Sequence, residues 1–472
     1  MPQSANESSP VQSLLWDDLF DKSVAVEFGS ERLTDNAGLL LPAALDRRWG
    51  LTARIAAGLR DRRDPDLIVH SIEELLRQRV YGLLGGFADA NDAARLKDDP
   101  VFRLALGRSL DDPEDALASQ PTFSRFENRI GNGSLMRWAC TLADMVLTRQ
   151  RQRLKKVPRI TLDLDPTDDL THGQQEFSFF NTHYGGWCFL PLLAFATFHD
   201  KHNREESERY LLAALLRPGN AAADVGIHGL LRRLVARCRA EFPEAKIRVR
   251  LDGAYATPDV FEWLENEGRV EYVVNMGKNE VLKREAEALL RQARLKAALS
   301  GESERVFGEI QYSAGTWKGV TRRAVVKAEV TIDPRDPGKG MKDNPRFVIT
   351  NLRASPEHVY CENYCPRGAM EKEINELKRD LYMDRTSCSD FGANQLRVLL
   401  AATAYALVQE LRSEARGTGA ERSEVAQLRA RLFKCAAIVC ESTRRWLLKI
   451  SKFAPDRHLW TVLALRCHAA VT

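Results

Sequence analysis

Tyr364, Arg367, Glu371 and Lys378 follow one another at steps of three, four and seven in the segment Tyr-Cys-Pro-Arg-Gly-Ala-Met-Glu-Lys-Glu-Ile-Asn-Glu-Leu-Lys. At ~3.6 residues per turn, those steps predict a phenol, a guanidinium, a carboxylate and an ammonium on one face of a helix over about four turns. A guanidinium grips phosphate oxygens through two bonds, whereas a carboxylate beside it repels phosphate unless a divalent cation stands between them. The combination therefore predicts phosphate and metal chemistry together. Charged residues at helical spacing also make up ordinary solvated faces, with Arg367 and Glu371 as an i,i+4 pair worth a few tenths of a kcal/mol. Which of the two applies depends on partners elsewhere in the chain.

Those partners are acids at the ends of strand-like runs. Arg-Ile-Thr-Leu-Asp-Leu-Asp-Pro-Thr carries Asp163 and Asp165 on one face, because strand side chains alternate, and Pro166 then stops regular pairing. Lys-Ile-Arg-Val-Arg-Leu-Asp-Gly-Ala-Tyr likewise ends in Asp252, followed by Gly253. An acid at the C-terminal end of an apolar strand sits where α/β sheets bind their ligands. With Glu371 from a helix, two strands and a helix supply three carboxylates, enough oxygen donors for two Mg²⁺ ions. Such a pair, about 3.5–4 Å apart, activates water and stabilises the leaving oxygen of an in-line phosphodiester displacement. Any one of these acids is equally a strand terminator or a helix cap. All three, with the Tyr, Arg and Lys, point to a metal-dependent phosphodiester enzyme.

The elements that must position these residues are legible as changes of texture. Residues from about 35 to 150 read as helical, with apolar positions three and four apart in LIVHSIEELLRQRVYGLL and GSLMRWACTLADMVLTRQ. Between them Ser119 is placed to cap a helix with Pro121 in its first turn, and Arg125, Asn128 and Arg129 supply a basic, polar face. That face suits either a helix lying in a DNA groove or the outer side of a bundle helix. From Val157 strand-like and helical runs alternate, which predicts an α/β core with a mixed sheet. Residues about 300 to 350 are β-rich and read as a small insertion, with Trp317 in one of its turns. After Glu371 two further helical runs are expected, FGANQLRVLLAATAYALVQELR and SEVAQLRARLFKCAAIVCESTRRWLLKI, joined by an exposed, mobile loop, RSEARGTGAERSE.

Composition narrows the classes. The 472 residues suffice for two to four domains, and 44% hydrophobic with 28% charged residues describes a globular protein. A net charge of +4 requires that any nucleic-acid binding come from local basic patches. Nine scattered cysteines do not form a disulfide framework and fit a reducing cytoplasm, and His358, Cys361 and Cys365 lack the paired half a zinc site would need. The polar start, MPQSANESSPVQ, has no signal-peptide core. The longest apolar run, Val398 to Val408, is too short to cross a bilayer.

On Tyr364, Arg367, Glu371 and Lys378, with two, three and six residues between them, the chain resembles the bacterial insertion-sequence transposases of DDE type that carry a Tyr-Arg-Glu-Lys signature. LASQPTFSRFEN, LDLDPTDD and GFADANDAARLKDDP extend the likeness to the insertion-sequence family numbered 1380, over nearly the whole chain. The resemblance implies a ribonuclease-H-like core interrupted by a β-rich insertion before its last helix. It divides the chain into a helical DNA-end-binding domain (1–155), a core (156–280 and 346–410), an insertion (281–345) and a C-terminal helical region (411–472). It implies Asp165, Asp252 and Glu371 as catalytic, Mg²⁺-binding acids, with Mn²⁺ able to substitute and Asp163 the rival for the first. Pro166 and Gly253 depart from the neighbours expected beside these acids. Tyr364, Arg367 and Lys378 would hold DNA, Trp317 would stack on a flipped base, and Arg125, Asn128 and Arg129 would contact the DNA ends. The implied activity is cut-and-paste transposition by a homodimer on paired terminal inverted repeats, through a hairpin intermediate, in the bacterial cytoplasm at the nucleoid. A nuclease without strand transfer and a non-catalytic DNA-binding descendant are the alternatives.

Overall fold

The structure, a computed structural model, describes residues 14–16, 24–26, 29–200, 209–333 and 340–467. It is a mixed α/β fold with helical regions at both ends and a nine-stranded mixed sheet in the middle. The strands that matter here are β1 (Arg159–Pro166), β2 (Asp169–Leu170), β3 (Phe179–Asn181), β4 (Gly186–Phe189), β5 (Leu192–His199), β6 (Arg209–Leu215), β7 (Lys246–Leu251) and β8 (Val270–Met276). Beyond them come β9 (Glu304–Tyr312), β10 (Arg322–Ile332), β11 (Met341–Asp343) and β12 (Arg346–Thr350). The large sheet runs β9-β10-β12-β8-β7-β1-β5-β6, with β11 on β10. Strand β7 is parallel to both β1 and β8, and the other neighbours are antiparallel.

The alternation in β1 explains its place at the centre. Ile160, Leu162 and Leu164 fill one face while Thr161 and Asp163 lie buried on the other. Both faces are covered, which a run of this composition requires.

Of the helices, α1 (Ile72–Gly85) starts at a capping box in which Ser71 Oγ accepts from the Glu74 N–H and Glu74 Oε2 accepts from the Ser71 N–H. Helix α2 (Gln120–Glu127) begins after Ser119 as expected, although the Ser119 hydroxyl meets Thr122 Oγ1 at 3.2 Å rather than a backbone N–H. Helices α3 (Asn132–Arg153) and α4 (Ile227–Glu241) pack on one another, and α3 also packs on β6. The last long helix, α6 (Phe391–Glu414), is buried around nearly its whole circumference, against β6, α1 and α3. Its Ala- and Leu-rich run reads as a core helix for that reason.

The strands of the β-rich segment from about 300 to 350 prolong the central sheet: β12 pairs with β8, and β10 and β9 follow. Three sequence expectations change. The expected last helix ends at Phe433; Ala437–Glu441 and Trp446–Ile450 form a hairpin that pairs with Leu33–Thr34. Within it Ala437 and Val439 are buried while Ile438 is only partly so and Cys440 is exposed, a period of two that wins over helix once a distant strand is available. The loop after α6 is packed, with Ala415 and Ala420 fully buried and the Arg412 guanidinium bonded to the Ser423 carbonyl. The segment from Pro356 to Asp380 is helical but not one regular α-helix. A π turn (Val359–Tyr364), a 3₁₀ stretch (Cys365–Ala369), a short helix α5 (Met370–Asn375) and a second π turn (Glu376–Asp380) succeed one another. Pro366 lacks an N–H and its ring crowds the preceding turn, so the ladder changes pitch around it.

Among the described residues, no helix is long and apolar enough to cross a membrane.

Candidate active site

Asp165 ends β1, half-buried, and its neighbour in register on β5 is Leu193. Asp252 follows the last residue of β7, the parallel neighbour of β1, so both acids emerge at the same end of adjacent strands. Asn275, next to the end of β8, reaches Asp252 Oδ1 with its side-chain N–H at 3.3 Å. A Cβ on Gly253 would press on that same Asn275 nitrogen at 3.3 Å, so glycine suits the approach that the sequence left in question.

Glu371 lies exposed on α5, and among the described residues no cation pairs with it. Burial pushes the Asp165 carboxyl up to about 6, Arg367 draws it back, and the charges of Asp252 and then Glu371 raise it further. Asp165 therefore lies within electrostatic range of both other carboxyls. Yet among the described residues no group of three or more His, Cys, Asp or Glu is closed around a metal position. Arg367 stands there instead, its Nη2 at 2.5 Å from Asp165 Oδ1. A cation on Asp165, surrounded by carboxylates that repel one another, marks a place where the donor chemistry suits a hard divalent ion.

Arg367 and Lys378 both reach the end of β1 although the helix between them changes pitch. Lys378 Nζ lies 2.9 Å from Asp168 Oδ1 and 3.5 Å from Thr167 Oγ1. Burial works against the Arg367 charge, but Asp165 and Asp252 outweigh it and hold the guanidinium protonated, while its Nε keeps no hydrogen-bond partner. Tyr364 is half-buried against Tyr360, with ring centroids 5.6 Å apart. Burial raises its phenol, Arg367 lowers it and Asp252 raises it, which puts Tyr364 in the same neighbourhood.

Asp163 has a different fate. It is fully buried, and register sets it opposite Arg250 on β7, which closes on it with bonds of 2.5 and 2.6 Å. Arg209 Nε adds a third contact at 3.6 Å. Arg250 also donates to the Asn363 carbonyl at 3.0 Å, and Arg248 to the Asn363 side chain, so the pair ties β1 and β7 to the residue before Tyr364. Sequence reasoning missed this clasp. Its signal was the alternation of Arg248 and Arg250 with Ile247, Val249 and Leu251, which sets two cations on one face of a buried strand. Also missed were Asp168, the partner of Lys378, and Tyr255, whose buried hydroxyl lacks a partner and whose phenol is raised first by burial. Asp169, beside Asp168, is pushed up to about 8 by burial while accepting from Thr386 Oγ1 at 2.7 Å.

Two groups of predicted residues stand apart from the acids. Arg125, Asn128 and Arg129 are exposed at α2, whose inner side carries the buried Glu127, itself paired with Arg397 and Arg79. Trp317 is 3% exposed. Phe261 and Tyr312 each lie 5.2 Å from its ring, and the Arg322 guanidinium covers its face at 4.7 Å. In the DNA-free chain Trp317 is enclosed and covers the junction between β10 and the helix carrying Phe261.

A family profile described as transposase DDE domain group 1 matches residues 17–470. Among solved structures the chain is similar to a cryo-EM structure of piggyBac transposase in a synaptic complex with hairpin DNA, at 12% identity over 94% of this chain and 85% of that one, with a TM-score of 0.35. No curated protein matches it.

Proposed function

The chain belongs to the transposase DDE domain family, group 1, and is a DDE transposase, an enzyme that hydrolyses and transesterifies DNA phosphodiesters; from that premise we propose that Asp165, Asp252 and Glu371 are its catalytic acids. The observation that carries this is the emergence of Asp165 and Asp252 at the same end of adjacent parallel strands, with Arg367 of the segment that bears Glu371 reaching Asp165; the upward shift of the Asp165 carboxyl by burial, Asp252 and Glu371 agrees with it. Asp163 is left out because Arg250 and Arg209 already neutralise it. The order β6-β5-β1-β7-β8, with the first two acids on its adjacent parallel strands and the third on a following helical segment, supports a ribonuclease-H-like core.

Mg²⁺, or Mn²⁺ in its place, would be held by the three carboxylates and would supply a nucleophilic water and charge neutralisation at the leaving oxygen. The chain's own residues do the rest. Arg367 leaves Asp165 to grip a phosphate by its fork of N–H donors, and Tyr364 donates its hydroxyl beside it. Lys378, poised at Asp168, contacts the backbone near the cut. Attack of water on phosphorus breaks the bond to the 3′ oxygen, which departs as a 3′-hydroxyl once it takes a proton. That hydroxyl then attacks the opposite strand in a transesterification that closes a hairpin and expels the flanking 3′ oxygen as a hydroxyl; hydrolysis of the hairpin frees the 3′-hydroxyl again, and a further transesterification joins it to target DNA while a target 3′ oxygen departs.

The α2 face with Arg125, Asn128 and Arg129 would contact terminal inverted repeats, and a homodimer on paired ends would complete a cut-and-paste cycle. The division into a DNA-end-binding region (1–155), core (156–280 and 346–410), β-rich segment (281–345) and C-terminal region (411–472) belongs to the same proposal, as does membership of the insertion-sequence family numbered 1380. Incubating inverted-repeat DNA with Mg²⁺ and Asp252→Ala or Glu371→Gln tests the assignment: cleavage is expected to vanish in both, and full activity in either refutes it.

A further inference from the structure

Glu371 stands in a segment that cannot fix its own position. The helical ladder changes pitch on both sides of α5, and α5 itself has six residues. An isolated helix shorter than roughly 12–15 residues is marginal in water, so this one takes its place from what it packs against. Met370 and Ile374 are buried and set its depth. Apolar contact has no direction, however, and leaves the rotation of the segment and its travel along the core unset. Directional bonds decide those.

Buried guanidiniums provide such bonds at both ends of the segment. Arg250 and Arg248 of β7 hold Asn363, ahead of Glu371, and Arg412 of α6 donates to Glu376 Oε2, beyond it. Nearer to Glu371 in the chain, the grip comes from Arg209, the first residue of β6 at the edge of the large sheet. Its Nη2 donates to the Pro366 carbonyl, and its Nη1 lies 3.2 Å from Glu373 Oε1. Among the described residues both of its side-chain hydrogen bonds thus go to this segment, one on each side of Glu371. The Nε is buried without a hydrogen bond and faces Asp163 Oδ2 at 3.6 Å, on the strand that ends in Asp165.

Arg250 already closes on Asp163 with bonds of 2.5 and 2.6 Å, so the Arg209 contact there is the weaker one. What Arg209 adds is a brace between the strand that ends in the first acid and the segment that carries the third. The root of the brace is stiff. The Arg209 carbonyl accepts from the side-chain amide of Gln409 on α6, the Leu211 N–H donates to the same side chain at 3.2 Å, and Gln409 is buried. With its side chain 10% exposed, the guanidinium has little room to swing. A planar fork with fixed donor directions suits a carbonyl and a carboxylate held side by side; an ammonium in the same place is a point charge and fixes neither direction.

We propose that Arg209 is a positioning residue that sets Glu371 against Asp165, and so governs how well the three carboxylates fit divalent metal. This rests on Asp165, Asp252 and Glu371 being the acids of cleavage. Arg209 acts through the segment and not on the reacting atoms.

The test compares Arg209→Met and Arg209→Lys with wild type, all as full chains. A misplaced ligand weakens the metal site, whereas a smaller folded fraction lowers the rate without moving its metal dependence. In cleavage of inverted-repeat DNA, the Mg²⁺ concentration giving half the maximal rate is expected to rise roughly tenfold or more in Arg209→Met, and by less in Arg209→Lys. Hydrogen exchange of the metal-free chain gives a second readout. Amides of residues 364–376 are expected to exchange faster in Arg209→Met, with those of β1 and β7 as protected as in wild type. Glu373→Met is expected to raise the same midpoint, and the Arg209→Met/Glu373→Met double variant to raise it no further than Arg209→Met alone, because both break one link. An unchanged Mg²⁺ midpoint in Arg209→Met overturns the proposal. So does loss of protection in β1 and β7 along with the segment in both Arg209 variants, which would make Arg209 a general support of the fold. Where Arg209→Met alone loses its fold, the Arg209→Lys midpoint decides in the same way. Failure of the acid assignment is read separately, as Mg²⁺-dependent cleavage surviving in Glu371→Gln.

Discussion

Arg367 Nη2 stands 2.5 Å from Asp165 Oδ1, so the guanidinium offered to phosphate and the carboxylate offered to metal are partners in the DNA-free chain. Burial raises the Asp165 carboxyl most, Arg367 opposes it, and Asp252 and Glu371 add to the rise, with a balance at about 6. Removing the guanidinium leaves only the raising influences. Arg367→Met is therefore expected to move the Asp165 titration upward in the chain free of metal and DNA, followed by NMR of its labelled side-chain carboxyl. A titration that stays where the wild type has it would show that the two residues do not act on one another.

The same carboxyl ties activity to stability. Its folded pKa of about 6 exceeds the ordinary value of 3.8, so the folded state holds this proton more tightly than the unfolded chain does. The stability it contributes is present below about pH 4 and is lost as pH rises through about 6. Asp165→Asn escapes that loss. It is expected to be inactive yet up to about 2–3 kcal/mol more stable than wild type in urea melts above pH 7, with the difference closing near pH 4. A variant less stable than wild type at pH 7.5 contradicts this.

Asp163, two residues earlier, should behave in the opposite way. It is fully buried and neutralises Arg250 and Arg209, so Asp163→Asn strands buried guanidiniums without their counter-charge. The expected cost is about 3–5 kcal/mol, seen as a lower melting temperature at every neutral pH. Both variants lose cleavage, but only Asp163→Asn loses it by loosening the fold. Equal melting temperatures for the two would return Asp163 to contention as the first acid.

How far the sequence carried these conclusions depended on the range of the interactions concerned. Strand β1 and helix α3 were legible because their periods of two and 3.6 are local, and the likeness in Tyr364, Arg367, Glu371 and Lys378 is a matter of spacing alone. The Ala437–Glu441 strand was not, because its period is expressed only once Leu33 and Thr34 arrive from the other end of the chain. Likewise nothing near Lys378 announces Asp168, and nothing near Asp163 announces Arg250; each pair is made by a sheet register or a helix crossing. The pitch changes around Pro366 escaped the regular helix expected there, although the proline itself was in view.

Trp317 gives the sharpest separation of a packing role from a DNA role. Phe261, Tyr312 and Arg322 enclose it, and Arg322 is anchored in turn by Glu265 through bonds of 2.7 and 2.8 Å. Truncation leaves a cavity and uncovers a guanidinium face, so Trp317→Ala is expected to cost about 3–5 kcal/mol, and Trp317→Phe distinctly less. Because Trp317 is enclosed in the DNA-free chain, the folded fraction of Trp317→Ala should cleave inverted-repeat DNA as wild type does. Normal melting together with selective loss of that cleavage would instead mean that the pocket opens on DNA and hands Trp317 to a base.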